Sequence, residues 1–155
     1  MTAWYKQVGL MISAIALAGC LSATPERDVA PLSADEKVHY YIGKLADRDY
    51  VDLYGGPEHP RTWYTAAEEL GQIGAAAVPA LVTRLDTPDS YELMLVLYAL
   101  MLASQDPVLM AASGGDYLQL DTVLVEETNA ENRRRALAWW QRWCARPADD
   151  NPCAR

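Results

Sequence analysis

The chain has 155 residues, a hydrophobic share of 51% and a formal charge of −8, which fits one compact domain large enough for a real core. An acidic domain is repelled by nucleic-acid phosphates and by anionic lipid surfaces, so both are excluded as general partners. Two histidines and three cysteines leave little material for a metal site, and neither His39 nor His59 sits at a ligand spacing.

The amino terminus opens with Lys6 as its one cationic side chain, followed by an apolar stretch from Val8 to Ala18 broken only by Gly9 and Ser13. This is the charged and then hydrophobic order of an export signal. The stretch falls short of the roughly 20 apolar residues that a helix needs to cross a hydrocarbon core of about 30 Å. Leu17-Ala18-Gly19-Cys20 resembles the lipobox of bacterial lipoproteins, position by position. The resemblance implies cleavage before Cys20 and a diacylglycerol and N-acyl chain on the Cys20 thiol and amine, with no other cofactor. A plain signal peptide with a coincidental cysteine, or an uncleaved anchor, are the alternatives. In lipoproteins an aspartate directly after the cysteine retains the protein at the inner membrane. Here Leu21 and Ser22 follow, which points to the periplasmic side of the outer membrane. In a cell with one membrane the domain would face outward.

The expected organisation is therefore a signal peptide over 1–19, a lipidated start and linker over 20–32, a helical domain over 33–147 and a tail over 148–155. The linker, with Pro25, Pro31 and no periodic apolar pattern, supplies reach. Ser33-Ala34-Asp35-Glu36 is a capping box that starts a helix, and Val38, Tyr41, Ile42 and Leu45 give it one apolar face. His39 falls off that face and reads as solvated. Tyr54-Gly55-Gly56-Pro57-Glu58-His59-Pro60 cannot continue a helix. It reads as a connecting loop, with a pocket-lining role as the alternative, because it lacks the context of a phosphate cradle.

Trp63, Ala66, Ala67, Leu70 and Ile73 make a helical stripe, a small-residue turn covers Gly71 to Ala77, and Val78, Leu81, Val82 and Leu85 make a second stripe. Pro79 suits the first turn of that second helix. The two stripes predict a helical hairpin. The run Ala66-Ala67-Glu68-Glu69-Leu70-Gly71-Gln72-Ile73-Gly74 with Ala77-Val78-Pro79-Ala80-Leu81-Val82 resembles a HEAT-type repeat, which implies an all-α array of stacked helical hairpins. Asp86-Thr87-Pro88-Asp89 supplies the next turn and cap. Leu93 to Ala103 is apolar on every side, as in a helix buried between neighbours; at eleven residues it is too short for a membrane span. It is expected to open a second repeat. Beyond it, Ser113-Gly114-Gly115-Asp116 is a turn, and residues 117–125 fit a helix or a strand equally. The clear repeat text covers roughly residues 62–103.

Thr128-Asn129-Ala130-Glu131 reads as a second capping box, opening a helix that runs to about Arg146 before Pro147. At about 100° per residue Leu137, Trp140 and Cys144 share one face, taken as the core side. Arg135, Trp139, Arg142 and Arg146 then lie opposite, with Trp143 beside them. Exposed tryptophan among arginines is the composition of interface hot spots, so these five residues are the candidate partner-binding set. The ordinary alternative is a solvated arginine face with Trp139 covered by another element. With Cys20 lipidated, Cys144 and Cys153 remain as an even pair, which in an oxidising compartment reads as a disulfide pinning the tail. Two free thiols or a metal site are the other readings.

No catalytic constellation emerges. Neither histidine is placed beside a nucleophile, and Glu68 and Glu69, or Glu126 and Glu127, are sequence neighbours that point in different directions on a helix. HEAT-like families include one enzymatic branch, lyases that attach bilin pigments, but the fold does not carry the activity. Two functions of different kinds are expected. One is a tethered module that holds an envelope protein, as a scaffold or assembly factor. The other is a small-ligand or envelope-polymer binder using the Tyr54 to Arg61 loop.

Overall fold

The computed structural model describes residues 32–146 and Cys153. The expected export signal, the lipobox with Cys20, the linker up to residue 31 and the tail apart from Cys153 lie outside the described residues. What is described is mostly helical, and all-α is its class. In chain order the helices are α1 (Ala34–Ile42), α2 (Thr65–Ile73), α3 (Val78–Arg84), α4 (Ser90–Ala103), α5 (Pro107–Ser113) and α6 (Asn129–Cys144).

Helix α1 begins as its sequence dictates. The Ser33 side chain accepts from the Glu36 amide, and the Ser33 amide donates to the Glu36 carboxylate at 2.9 Å. Those two bonds satisfy amides that a helix start leaves without partners. The Ser33 bonds hold the Glu36 carboxyl below its ordinary value. Val38, Tyr41 and Leu45 enter the core and His39 is exposed.

Between α1 and α2 the chain makes two short strands, β1 (Asp52–Tyr54) and β2 (Arg61–Trp63), paired antiparallel with Leu53 opposite Thr62. The glycine-proline loop joins them. Three-residue strands leave no readable alternation, so the sequence reading missed them. Gly55 has φ +92°, and a Cβ there would stand 2.3 Å from the His59 carbonyl oxygen, so the loop requires glycine. The Thr65 hydroxyl donates to the Asp52 carboxylate at 2.9 Å, tying this ribbon to the start of α2.

Helix α4 organises the core. It packs against α2, α3 and α6, and it buries Tyr91, Glu92, Met94 to Leu97, Ala99, Leu100 and Ala103. A helix apolar on all sides is stable in water only when surrounded, and each buried Leu or Met contributes roughly 1.5–3 kcal/mol. Its cap is Asp89, which accepts from the Glu92 amide at 2.9 Å. Glu92 is nearly sequestered from solvent, held by the Arg84 guanidinium (Nε 2.9 Å from Oε1) and by the Thr87 hydroxyl, so the buried charge is compensated. No single described helix is long and apolar enough to cross a membrane; α4 and α5 reach that length only as a pair bent by 71°.

Helix α2 continues through Gly71 to Ile73, and only Gly74–Ala77 forms the turn, a 3₁₀ segment. At Gly71 a Cβ would lie 2.6 Å from the Leu102 Cβ, so glycine there lets α2 approach α4 closely. Helices α2 and α3 follow one another through the Gly74–Ala77 turn. The principal neighbour of α2 is α4, and α3 instead packs on α4, α1 and α6. Pro79 does occupy the first turn of α3.

Helix α5 is capped by Asp106, which accepts from the Val108 and Leu109 amides, and it ends at Gly114 in the left-handed conformation. Residues 116–125 are neither helix nor strand. They are held by tertiary bonds instead: the buried Leu118 donates its amide to Ser104 Oγ at 3.0 Å, and the Asp121 amide donates to Asn132 Oδ1 at 2.9 Å. The capping box expected at Thr128 does not form. A 3₁₀ turn, Glu126–Thr128, precedes α6, and Thr128 is already helical there, with its hydroxyl donating to the Thr122 and Val125 carbonyls. Glu131 pairs with Arg134 and Arg135, which lowers its pKa, the Arg135 hydrogen bond being the largest cause.

Candidate functional site

The residues α6 buries are Asn129, Asn132, Ala136, Trp139 and Trp143, spaced three and four apart as one stripe. This overturns the face read from the sequence. Trp139 and Trp143 are each 1% exposed, whereas Leu137 is 37% exposed, and Trp140 and Cys144 are half-buried. The true stripe is rotated by one residue, about 100°. The physical reason is the polar end of the stripe. Asn129 donates from Nδ2 to the Ser90 carbonyl at 2.8 Å, and Asn132 bonds the Asp121 amide and the Thr122 carbonyl. Both asparagines are buried because the loop and the start of α4 satisfy them, and this side of the helix is thereby turned inward.

With the register corrected, three of the five candidate residues still meet in one place. Arg135, Ala138, Trp139 and Arg142 from α6, with Asp116 to Gln119 from the irregular segment, line an open cleft of about 310 Å³. Trp139 belongs to its wall and is otherwise sealed into the core, its ring 5.8 Å from that of Trp143. Arg135 and Arg142 are largely exposed. Arg142 reaches the Asp116 carboxylate at 3.4 Å and Arg146 reaches it at 3.8 Å. The other two candidates stand beside the cleft rather than in it: the Arg146 guanidinium covers the Trp143 ring at 4.0 Å and donates to the Ala112 carbonyl. Neither the Trp139 nor the Trp143 indole N–H has a hydrogen-bond partner among the described residues.

Sequence reasoning missed Asp116, Tyr117, Leu118 and Gln119. Residues 113–116 read only as a turn, and nothing local to residues 117–119 says that they pack across α6. The structure joins Cys144 to Cys153 in a disulfide with the Cα atoms 5.4 Å apart, which closes the end of α6 onto the tail.

The remaining sequence candidates lie apart. His59 and the rest of the 55–60 loop are exposed at the tip of the ribbon. On the ribbon Leu53, Tyr54 and Trp63 are also exposed, Tyr54 and Trp63 meeting edge to face at 5.9 Å between centroids. Glu68 accepts from the Tyr98 hydroxyl at 2.5 Å, and burial together with that bond pushes the Tyr98 phenol far up. His39 lies on a separate shallow groove between α1 and α3, with Val38, Ile42 and Pro79. Among the described residues no three His, Cys, Asp or Glu side chains converge on a position that would hold a metal ion.

No family model, curated protein or solved structure matches the chain.

Proposed function

We propose that the chain is a lipid-tethered binding module of the cell envelope, acylated on Cys20 at the periplasmic side of the outer membrane, which holds a protein partner as a scaffold or assembly factor. The tether rests on Lys6, the short apolar run and Leu17-Ala18-Gly19-Cys20. The binding half rests on one observation: two exposed guanidiniums, Arg135 and Arg142, rim an open cleft between α6 and residues 116–119. Exposed arginine at the rim of a cleft suits a protein anchor, because a planar guanidinium hydrogen-bonds in a fixed fork with little loss of freedom. The HEAT-type arrangement belongs to the same reading. Its support is that α2 and α4, the first helices of the two successive units, lie against each other, as stacked repeats require.

The test is recovery from detergent-solubilised membranes with the full chain as bait. A specific partner captured by the wild type and lost with the Arg135→Ala/Arg142→Ala double variant is the expected result; equal recovery with both baits rejects the cleft as the docking site. Intact-mass analysis showing wild-type protein without acyl groups rejects the tether; Cys20→Ser should stop lipidation and give an uncleaved or soluble form.

A second reading has its own observation. The ribbon displays Leu53, Tyr54 and Trp63 to solvent, and an aromatic pair on an exposed hairpin suits stacking against a small ligand or a sugar of an envelope polymer. Saturation-transfer NMR with soluble envelope glycan fragments, compared between the wild type and Trp63→Ala, decides it.

A further inference from the structure

Resting on the reading of the α6 cleft as a docking site, we infer that the group it takes is an acidic peptide segment of the partner, with carboxylates engaging Arg135 and Arg142, and that Asp116 is an internal competitor for Arg142, as Glu131 is for Arg135. The first ground is charge. The chain is −8 overall, yet residues 129–146 carry five arginines, Arg133, Arg134, Arg135, Arg142 and Arg146, and the carboxylates that pair with them are three, Asp86, Glu131 and Asp116, so the strip keeps an excess of positive charge. A positive strip on an acidic domain attracts what the rest of the surface repels.

The second ground is placement. Arg135 and Arg142 stand two turns apart on one side of α6, about 10 Å along its axis, and both line the cleft. An extended chain at about 3.3 Å per residue places alternate side chains on one side about 6.6 Å apart, and the long, exposed arginine side chains span the remaining few ångströms. Ala138 is exposed between the two guanidiniums and gives an intervening side chain a small apolar surface, while Leu118 and Trp139, which also line the cleft, are each only 1% exposed. Gln119 adds an amide that can donate to, or accept from, a peptide backbone.

The third ground is that a carboxylate already sits there. Asp116 approaches Arg142 at 3.4 Å and Arg146 at 3.8 Å, distances longer than those of a tight charge-assisted bond. An incoming carboxylate that forms a shorter, better aligned pair with Arg142 displaces Asp116, which is exposed enough to return to water. The internal pair thus lowers affinity without closing the cleft.

The experiment uses the full-length chain, disulfide intact, and fluorescence anisotropy of a dye-labelled, tryptophan-free peptide alternating Glu with Ala; its Lys–Ala counterpart is the control. The Glu peptide should bind, the Lys peptide should not, and binding should weaken as salt is raised. Arg142→Glu and Arg135→Glu should each weaken it by about tenfold or more. Asp116→Asn should tighten it by a few-fold, a gain that a merely structural role for Asp116 does not produce. Arg61→Glu, on the ribbon and apart from the cleft, should change binding by no more than about twofold, given a Debye length of about 8 Å at physiological ionic strength. Thermal midpoints of all variants establish that each is folded.

The inference is overturned if the Glu peptide does not bind the folded wild type, if Arg142→Glu and Asp116→Asn leave its binding unchanged, or if inorganic phosphate at equal concentration displaces it, which would mark a general anion site. A partner captured from membranes through Arg135 and Arg142, with no affinity for the Glu peptide, removes this inference and leaves the docking site standing. Peptide binding with no partner captured does the reverse.

Discussion

Two regions of the molecule set tryptophan beside arginine, and they end in opposite environments. On α6, which packs against α4, Trp139 and Trp143 are 1% exposed; on the ribbon, Trp63 is 38% exposed beside Arg61 and Tyr54. Locally the two sequences look alike, an aromatic residue among cations. The difference teaches that the arginines do not mark the solvent side by themselves. On α6 they flank a buried stripe and let their long stems lie along its edge, whereas the two-stranded ribbon exposes every residue of both strands.

The largest effect that can break this comparison is on α6. Trp139→Ala should cost about 3–5 kcal/mol in denaturant unfolding, the size of a core aromatic truncation, and Trp143→Ala a similar amount. Half-buried Trp140→Ala should cost less, about 1–2 kcal/mol. If the order is reversed, with Trp140 the costlier loss, the assigned α6 register is wrong.

Next in size is the clamp at the end of the same helix. Reducing the Cys144–Cys153 disulfide releases a short loop, worth about 2–3 kcal/mol by loop-closure entropy, and the unfolding midpoint should fall accordingly in reductant. Alkylation of both thiols in folded, unreduced protein would show that the crosslink is absent.

On the ribbon the expected loss is small. Trp63→Ala should cost no more than about 1 kcal/mol, mostly its edge-to-face contact with Tyr54, and Leu53→Ser about zero. A loss as large as that of Trp139→Ala would mean that the ribbon is covered in the protein as it exists.

The smallest effect is remote from both surfaces and sets the background. The Ser33 hydrogen bonds depress the Glu36 carboxyl in the folded state. A depressed folded pKa contributes stability above the unfolded value of about 4.3, and the contribution is lost as pH falls through the lower folded value. Amide exchange in the first turn of α1 should therefore lose protection in mild acid, and Ser33→Ala should remove that dependence.

Much of the helical framework was legible locally. The start of α1 at Ser33, the cap of α4 at Asp89 and the first-turn Pro79 of α3 follow from side chains that bond or fit their own turn, and α4 had no solvent face to offer. The reading failed where residues are satisfied by partners far along the chain. Asn129 reaches Ser90 and Asn132 reaches residues 121 and 122, so two polar residues join a core stripe that periodicity alone places elsewhere. Thr128 makes no cap bond, its backbone being already helical as the last residue of the preceding 3₁₀ turn.

By itself, then, the sequence determined where α1 and α4 begin and that α4 must be enclosed, since those outcomes rest on hydrogen bonds within one turn and on apolar surface with no water-facing side. Only the tertiary structure decided which side of α6 is inside, that residues 116–119 form the opposite wall of its cleft, and that Arg135 and Arg142 rim it together. Those depend on hydrogen bonds and packing between segments distant in sequence, and a side chain's burial is fixed by what arrives to cover it.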